Sequence, residues 1–193
     1  MKDQGVTLIE LLVVIAVIGI LAVALGFSYV GWLGRYKVEK AVKDIHSDLM
    51  TARSMAMTRN RFYFADFNFP APPAGKGTYR IAEDTNDDSA GDADANGEID
   101  AAGHTFLPSF PKTVDYVISS NAGGIITFDK RGIISSPSLL PPVTEVAACI
   151  TAGSDTDPDY DCIEISQTRL TIGKLTTQIS NGGACNATNC VAK

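Results

Sequence analysis

Residues 5–27 read GVTLIELLVVIAVIGILAVALGF, and this stretch decides the fold of the chain. From Leu11 to Phe27 every residue is apolar or glycine. A helix of about 20 such residues is long enough to cross a bilayer. Glu10 places one carboxylate at the front of the run, where a charge is costly and therefore indicates a function.

Three interpretations compete for this N-terminus: a cleaved secretory signal, an ordinary membrane anchor, or a specially processed assembly segment. A secretory signal needs a basic start, an apolar core of about 7 to 15 residues and a small-x-small cleavage site. The chain has only Lys2 before the run, a core that is too long, and a weak match at Ala22-Val23-Ala24. The position of Glu10 favours the third interpretation over the other two.

Gly5 followed by VTLIELLVVI resembles the class III signal of type IV pilins and type II secretion pseudopilins. The resemblance implies that a prepilin peptidase cuts after Gly5 on the cytoplasmic side and methylates the new N-terminus at Val6. Residues 1–5 would then be a leader peptide. Most members of the family have Phe at the position of Val6, so this residue is a departure from the pattern.

The resemblance also gives Glu10 a role in assembly. We expect its carboxylate to pair with the amine of Val6 of the adjacent protomer. Such a pair neutralises two charges that are each expensive in an apolar medium. It would set the register of neighbouring subunits in a filament.

The basic residues around the apolar run conflict with this orientation. Arg35, Lys37, Lys40 and Lys43 follow the run, whereas only Lys2 precedes it. Positive-inside counting would place the following part of the chain in the cytoplasm. The family resemblance and the cysteines favour the opposite: a single-pass bacterial inner-membrane protein with its head in the periplasm, later incorporated into a filament.

An amphipathic pattern continues the helix beyond the apolar run. Apolar residues recur at intervals of three and four, which predicts one buried face to about Asn60. These residues are Val38, Val42, Ile45, Leu49, Ala52 and Ala56. The predicted organisation is a transmembrane or filament-core helix at 6–33, an amphipathic helix at 34–60, and a β-rich head at 61–193.

The head reads as short strands with close turns, which predicts a mainly antiparallel sheet. The predicted strands are 61–67, 77–81, 114–118, 124–129, 161–166, 170–172 and 175–179, with a turn at Gly173-Lys174. A long N-terminal helix packed on this sheet gives an α+β, pilin-like fold class. The helix end at 52–60, the segment ITFDKRG at 126–132 and the closing hairpin are similar to the GspH/FimT group of minor pilins and pseudopilins.

All four cysteines lie in the last quarter of the chain, at Cys149, Cys162, Cys185 and Cys190. No CxxC pair is present, and an even count at wide spacing predicts two disulfides in an oxidising compartment. Three pairings are possible. We favour Cys149 with Cys162 and Cys185 with Cys190, because both close short loops; four free thiols are the alternative.

An acidic loop at 83–103 explains the net charge of −6. Residues 92–100, DADANGEID, follow the order of an EF-hand-type calcium loop, with glycine at the sharp turn and isoleucine as an anchor to the core. Gly103 stands where a bidentate acid is expected, so the last ligand would have to come from Asp84, Asp87 or Asp88. A solvated acidic loop is the alternative. The predicted Ca²⁺ ligands are Asp92, Asp94, Asn96, Glu98 and Asp100.

Nothing in the sequence indicates an enzyme, because His46 and His104 have no recognisable partner pattern and no phosphate loop or HExxH motif occurs. Arg53, Arg59 and Arg61 could bind DNA, but we expect a salt-bridging helix end and consider nucleic acid an unlikely partner. The sequence thus predicts a non-catalytic filament subunit whose partners are other pilins or pseudopilins, the prepilin peptidase and the inner membrane. The alternative is a membrane-tethered, calcium-binding periplasmic module, or a DNA-binding minor pilin.

Overall fold

The computed structural model describes residues 7–67, 71–85, 103–121, 125–135, 145–153 and 156–193, with the side chains of 24–30 left out. One helix, α1, runs without interruption over Leu8–Arg59. It ends where Asn60 adopts the left-handed conformation (φ 53°) and donates its backbone N–H to the Ala56 carbonyl. Asparagine is among the few residues that tolerate this conformation at a helix C-terminus. The predicted helix end is confirmed.

The described residues of the head form two antiparallel sheets rather than one. The first sheet is built from β1 (Tyr63–Phe67), β2 (Gly77–Asp84), β3 (His104–Phe106), β4 (Lys112–Val114), β6 (Ile125–Phe128) and β7 (Ile134–Ser135). The second is built from β5 (Ile118–Ser120), β8 (Glu145–Ile150), β9 (Cys162–Ser166), β10 (Leu170–Leu175) and β11 (Cys190–Ala192). The strand order of the first sheet is β3-β2-β1-β6-β7, with β4 also paired to β2, and that of the second is β11-β10-β9-β8-β5.

The core forms where both sheets cover the second half of α1. The helix residues predicted to face inward are all buried, and they pack with β1, β6, β8 and β9 in one apolar cluster. In the second sheet, alternate residues divide between two faces, as the two-residue period of a strand requires. Ile163 and Ile165 face the helix, whereas Cys162 faces away from it. The α+β fold class is confirmed.

Three of the strand and turn predictions are wrong. The predicted strand 175–179 is a strand only at Leu175, where β10 ends, and a 3₁₀-helix begins at Ile179. The predicted strand 114–118 is divided between β4 and β5, which belong to different sheets. The predicted turn at Gly173-Lys174 does not exist, because β10 runs straight through it. A side chain at Gly173 would lie 2.6 Å from the Val191 carbonyl oxygen and 3.0 Å from Cys190 Sγ. This glycine therefore makes room for the returning tail and does not mark a turn.

The C-terminal tail lies across the outer face of the second sheet. Cys149 and Cys162 sit directly opposite each other on β8 and β9, so both side chains leave the same face of the sheet. Each bonds to the tail instead of to its neighbour: Cys149 to Cys185, and Cys162 to Cys190. The prediction that all four cysteines form disulfides is confirmed, but the favoured pairing is wrong.

Asn189 fixes the tail further, and no sequence pattern indicated it. Its side-chain oxygen accepts from Thr176 Oγ1 at 2.5 Å and from the Thr177 N–H at 2.8 Å. Its amide nitrogen donates to the Thr177 and Ala184 carbonyls at 2.7 and 2.8 Å. All hydrogen-bonding positions of one amide side chain are thus used to hold the tail against β10.

Candidate assembly site

The apolar first half of α1 is uncovered. Every described side chain from Leu8 to Val23 is exposed, and the large apolar ones range from 50% at Val17 to 82% at Leu8. Among the described side chains of α1, the first that the head buries completely is Val38. An apolar surface that surrounds a helix on all sides needs a partner that is itself apolar. Within the described part of the chain, no helix contains a segment both long enough and apolar enough to cross a membrane.

Glu10 lies in the first turn of this helix and turns back toward its start. The Thr7 N–H and hydroxyl both donate to Glu10 Oε2, at 3.5 and 3.4 Å. In return, the Thr7 carbonyl accepts from the backbone N–H groups of Glu10 and Leu11 at 3.1 and 3.2 Å. A carboxylate at this position also suits the positive end of the helix dipole. The side chain therefore has a local capping role in the single chain, in addition to any role between subunits. Gly5 and Val6, the predicted processing residues, lie outside the described residues.

The head is attached to the helix by polar contacts as well as by the core. Asp48 of α1 accepts from Tyr79 Oη and from Lys112 Nζ, both at 2.6 Å. Burial, together with the hydrogen bond from Tyr79 to Asp48, raises the pKa of that tyrosine far above its usual range, so its hydroxyl remains a donor. These contacts border an open groove of about 790 Å³ between the helix and β4. They fix the direction in which the helix leaves the head.

The far end of the helix is a salt-bridge cluster. Arg59 and Arg61 lie 2.6 and 3.6 Å from the carboxylate of Glu83, which also accepts from Tyr63 Oη at 2.7 Å. Burial and the nearby Glu83 raise the pKa of Tyr63 to about 12. The prediction of a salt-bridging helix end is confirmed for Arg59 and Arg61 but not for Arg53, which forms no salt bridge among the described residues. Glu83 belongs to β2 rather than to the acidic loop. Arg53 lies close to Gly132, where an added Cβ would come within 3.2 Å of its Nε.

The acidic loop connects two paired strands. Asp84 of β2 lies opposite His104 of β3, and the Thr85 N–H donates to the Gly103 carbonyl at 2.8 Å. Asp84 is completely buried at the end of its strand. The predicted ligands Asp92, Asp94, Asn96, Glu98 and Asp100 lie outside the described residues, as do Asp87 and Asp88. Among the described residues no group of acidic, histidine or cysteine side chains has the arrangement of a metal site. Calcium binding stays a prediction.

Two family models match this chain. Residues 1–26 match the prokaryotic N-terminal methylation motif, and residues 41–168 match the model described as type II transport protein GspH. The second match spans about two thirds of the 193 residues and contains most of the amphipathic helix and most strands of both sheets.

Solved structures give a weaker likeness. Two crystal structures of the type IV minor pilin FimU from Pseudomonas aeruginosa are each 19% identical to this chain. The match to the first includes 72% of this chain and 89% of the FimU chain, with a TM-score of 0.42. The match to the second includes 69% of this chain and 90% of the FimU chain, with a TM-score of 0.41. No curated protein matches. The family models decide the assignment: this chain belongs to the GspH family and is a minor pilin or pseudopilin.

Proposed function

We propose that this chain is a non-catalytic subunit of a type IV pilus or a type II secretion pseudopilus, acting in the assembly or initiation of the filament. The observation that carries the proposal is a single helix whose first half is apolar and exposed on all sides while its second half is the core of the head. In sequence, residues 24–27 complete the apolar run that begins at Leu11. Such a helix would lie in the inner membrane before assembly and in the filament core afterwards.

Processing at Gly5 would prepare this helix for assembly. Cleavage by a prepilin peptidase removes Lys2 and Asp3 together with the rest of residues 1–5 and leaves the amine of Val6 as the new end. That amine is four residues, about one helical turn, before Glu10. A neighbouring subunit displaced by about one turn along the helix axis would therefore bring its own amine to the depth of Glu10. The oxidised, disulfide-bonded head supports a periplasmic location for the part after the apolar run.

Mass spectrometry of the mature N-terminus tests this proposal. The expected peptide begins at a methylated Val6 in cells that contain a prepilin peptidase and at Met1 in cells without it. Gly5→Leu is expected to retain the leader, while Gln4→Leu, a matched change one residue earlier, is expected to be processed normally. An intact N-terminus in the presence of the peptidase, or cleavage near Ala24, would contradict the proposal.

We further propose that the acidic loop binds Ca²⁺ through Asp92, Asp94, Asn96, Glu98 and Asp100. The support is the order of these residues and the position of the loop between two paired strands, which bring its ends together. Isothermal titration of the protein with calcium should give a saturable heat that Asp94→Ala abolishes. Asp159→Ala, which removes an exposed acid outside the loop, should leave it unchanged. If the wild type gives no heat, the proposal is wrong.

A further inference from the structure

The neck, defined as residues 31–40, is the part of α1 where the helix enters the head. Trp32 and Tyr36 are 60% and 52% exposed, and their rings stack at 5.8 Å between centroids with planes 16° apart. The head reaches the helix only two residues after Trp32. A side chain at Gly34 would contact Thr156 Oγ1 at 3.4 Å, and Tyr116 Oη lies 3.5 Å from the Gly34 carbonyl.

The neck also carries positive charges that form no salt bridge with described residues of the head. Arg35 does lie near enough to Asp157 to help lower the pKa of that carboxyl, after the larger effect of Lys174. Arg35, Lys37 and Lys40 are exposed and take part in no salt bridge among the described residues. The acids at the base of the head are bonded to other cations. These pairs are Asp115 with Lys76 at 3.1 Å, Asp157 with Lys174 at 2.6 Å, and Asp159 with Lys193 at 3.7 Å.

In the groove beside the neck, too, most of the acidic side chains are paired with lysines outside the neck. Lys37 and Lys40 line it together with three aspartates. Of these, Asp48 is held by Lys112 and Asp115 by Lys76, which leaves Asp44. The neck therefore keeps a positive surface next to two exposed aromatic rings.

The position of the neck along the helix matches one bilayer. From Leu11 to Trp32 a helix rises about 32 Å, close to the roughly 30 Å thickness of a hydrocarbon core. Arg35 to Lys40 follow at about 5 to 12 Å beyond Trp32, and helical side chains lean toward the N-terminus. Aromatic rings at the edge of the hydrocarbon, with basic side chains just outside it, are the arrangement that suits a lipid interface.

We propose that the neck is a binding site for the headgroups of anionic phospholipids, in which Trp32 and Tyr36 lie at the membrane boundary and Arg35, Lys37 and Lys40 contact lipid phosphates. This inference rests on the proposed function, because it requires α1 to occupy a membrane before assembly. The site holds the head against the outer surface of that membrane. It also gives a local cause to three of the four basic residues that conflict with positive-inside counting; the fourth, Lys43, pairs with Glu39 at 3.8 Å.

Trp32 is the only tryptophan in the chain, so its fluorescence reports on this site alone. The full chain is reconstituted into nanodiscs of equal parts phosphatidylcholine and phosphatidylglycerol. Two preparations are compared, in which the bromine atoms that quench tryptophan are on the acyl chains of one lipid or of the other. The neck variant is Arg35→Gln/Lys37→Gln/Lys40→Gln. The control variant, Lys130→Gln/Arg131→Gln/Arg169→Gln, changes the net charge equally, on segments outside the neck.

Quenching of wild-type Trp32 by each brominated lipid gives the ratio of the affinities of the two lipids for the neck. We expect phosphatidylglycerol to bind about fivefold more tightly than phosphatidylcholine, as when roughly one basic side chain contacts a headgroup. The preference should fall to about one in the neck variant and in about 1 M salt, and persist in the control variant. Equal quenching in the wild type, or a preference that survives in the neck variant, would overturn the proposal. If the wild type shows no lipid preference and the neck variant nevertheless fails to enter filaments, the proposal is also overturned and these cations are assigned to a neighbouring subunit. N-terminal processing, measured on the same proteins, tests the proposed function separately.

Discussion

Replacing Glu10 by glutamine is expected to reduce incorporation of this chain into filaments at least about tenfold. Removing one partner of an ion pair in apolar surroundings costs roughly 3–5 kcal/mol, because the other charge is left uncompensated. Glutamine can still accept the hydrogen bonds that Thr7 donates to Glu10, so the start of the helix is preserved. The effect would therefore isolate the negative charge. The measurement is the ratio of the subunit in sheared filaments to the subunit in membranes, in cells complemented with each variant.

Thr7→Ala is the matched control for this experiment. It removes the hydroxyl donor to Glu10 and weakens the cap while it retains the carboxylate. We expect it to assemble at close to the wild-type level, whereas Glu10→Ala, which loses both charge and cap, should assemble as poorly as Glu10→Gln. Wild-type incorporation of Glu10→Gln would rule out the pairing with Val6. A defect in Thr7→Ala equal to that of Glu10→Gln would show that capping, and not charge, is what assembly requires.

The second large effect is expected from the tail disulfides. Cys149→Ala/Cys185→Ala should remove one bond and keep Cys162–Cys190 intact, with no free thiol. Closing a loop of 28 or 36 residues stabilises a fold by up to about 4 kcal/mol in the chain-entropy model. We therefore expect a loss of about 2–4 kcal/mol in the free energy of unfolding, measured by denaturant titration of the protein in detergent.

Cys149→Ala/Cys162→Ala removes the same number of sulfur atoms but should have a larger effect. It takes away one partner from each disulfide, so the tail after β10 loses both of its covalent attachments to the sheet. Limited proteolysis should then cut between Thr177 and Lys193 at a concentration of protease that leaves the first variant intact. The local pairing expected from spacing predicts the opposite order, because the first variant would then break both disulfides and the second only one. A first variant that is less stable than the second would therefore contradict the observed pairing.

The N-terminal half of the molecule could be predicted from its sequence because its determinants are local. The length of the apolar run, the position of Glu10 and the three-to-four spacing from Val38 to Ala56 each depend on residues close in the chain. The structure accordingly has a helix that ends within one residue of the expected Asn60, with the expected face buried.

The disulfides and the second sheet were decided by contacts between distant segments. Spacing favours short loops, but Cys149 and Cys162 face outward from adjacent strands and meet a tail that returns more than twenty residues later. Gly173 resembles a turn residue for the same reason: the close approach of Val191 is invisible in the local sequence. Glu83 and Asp84 look like part of an acidic loop until the pairing of β1 with β2 places them in a strand.

The sequence by itself determined the type of N-terminus, the single long helix and the family, because hydrophobic length and helical period are properties of neighbouring residues. The tertiary structure alone decided which cysteines bond, that Glu10 also caps its own helix, and that Arg35, Lys37 and Lys40 form no salt bridge with the described residues of the head. Those features depend on which side chains the folded backbone brings together, and burial of the core fixes that arrangement over separations that no local pattern records.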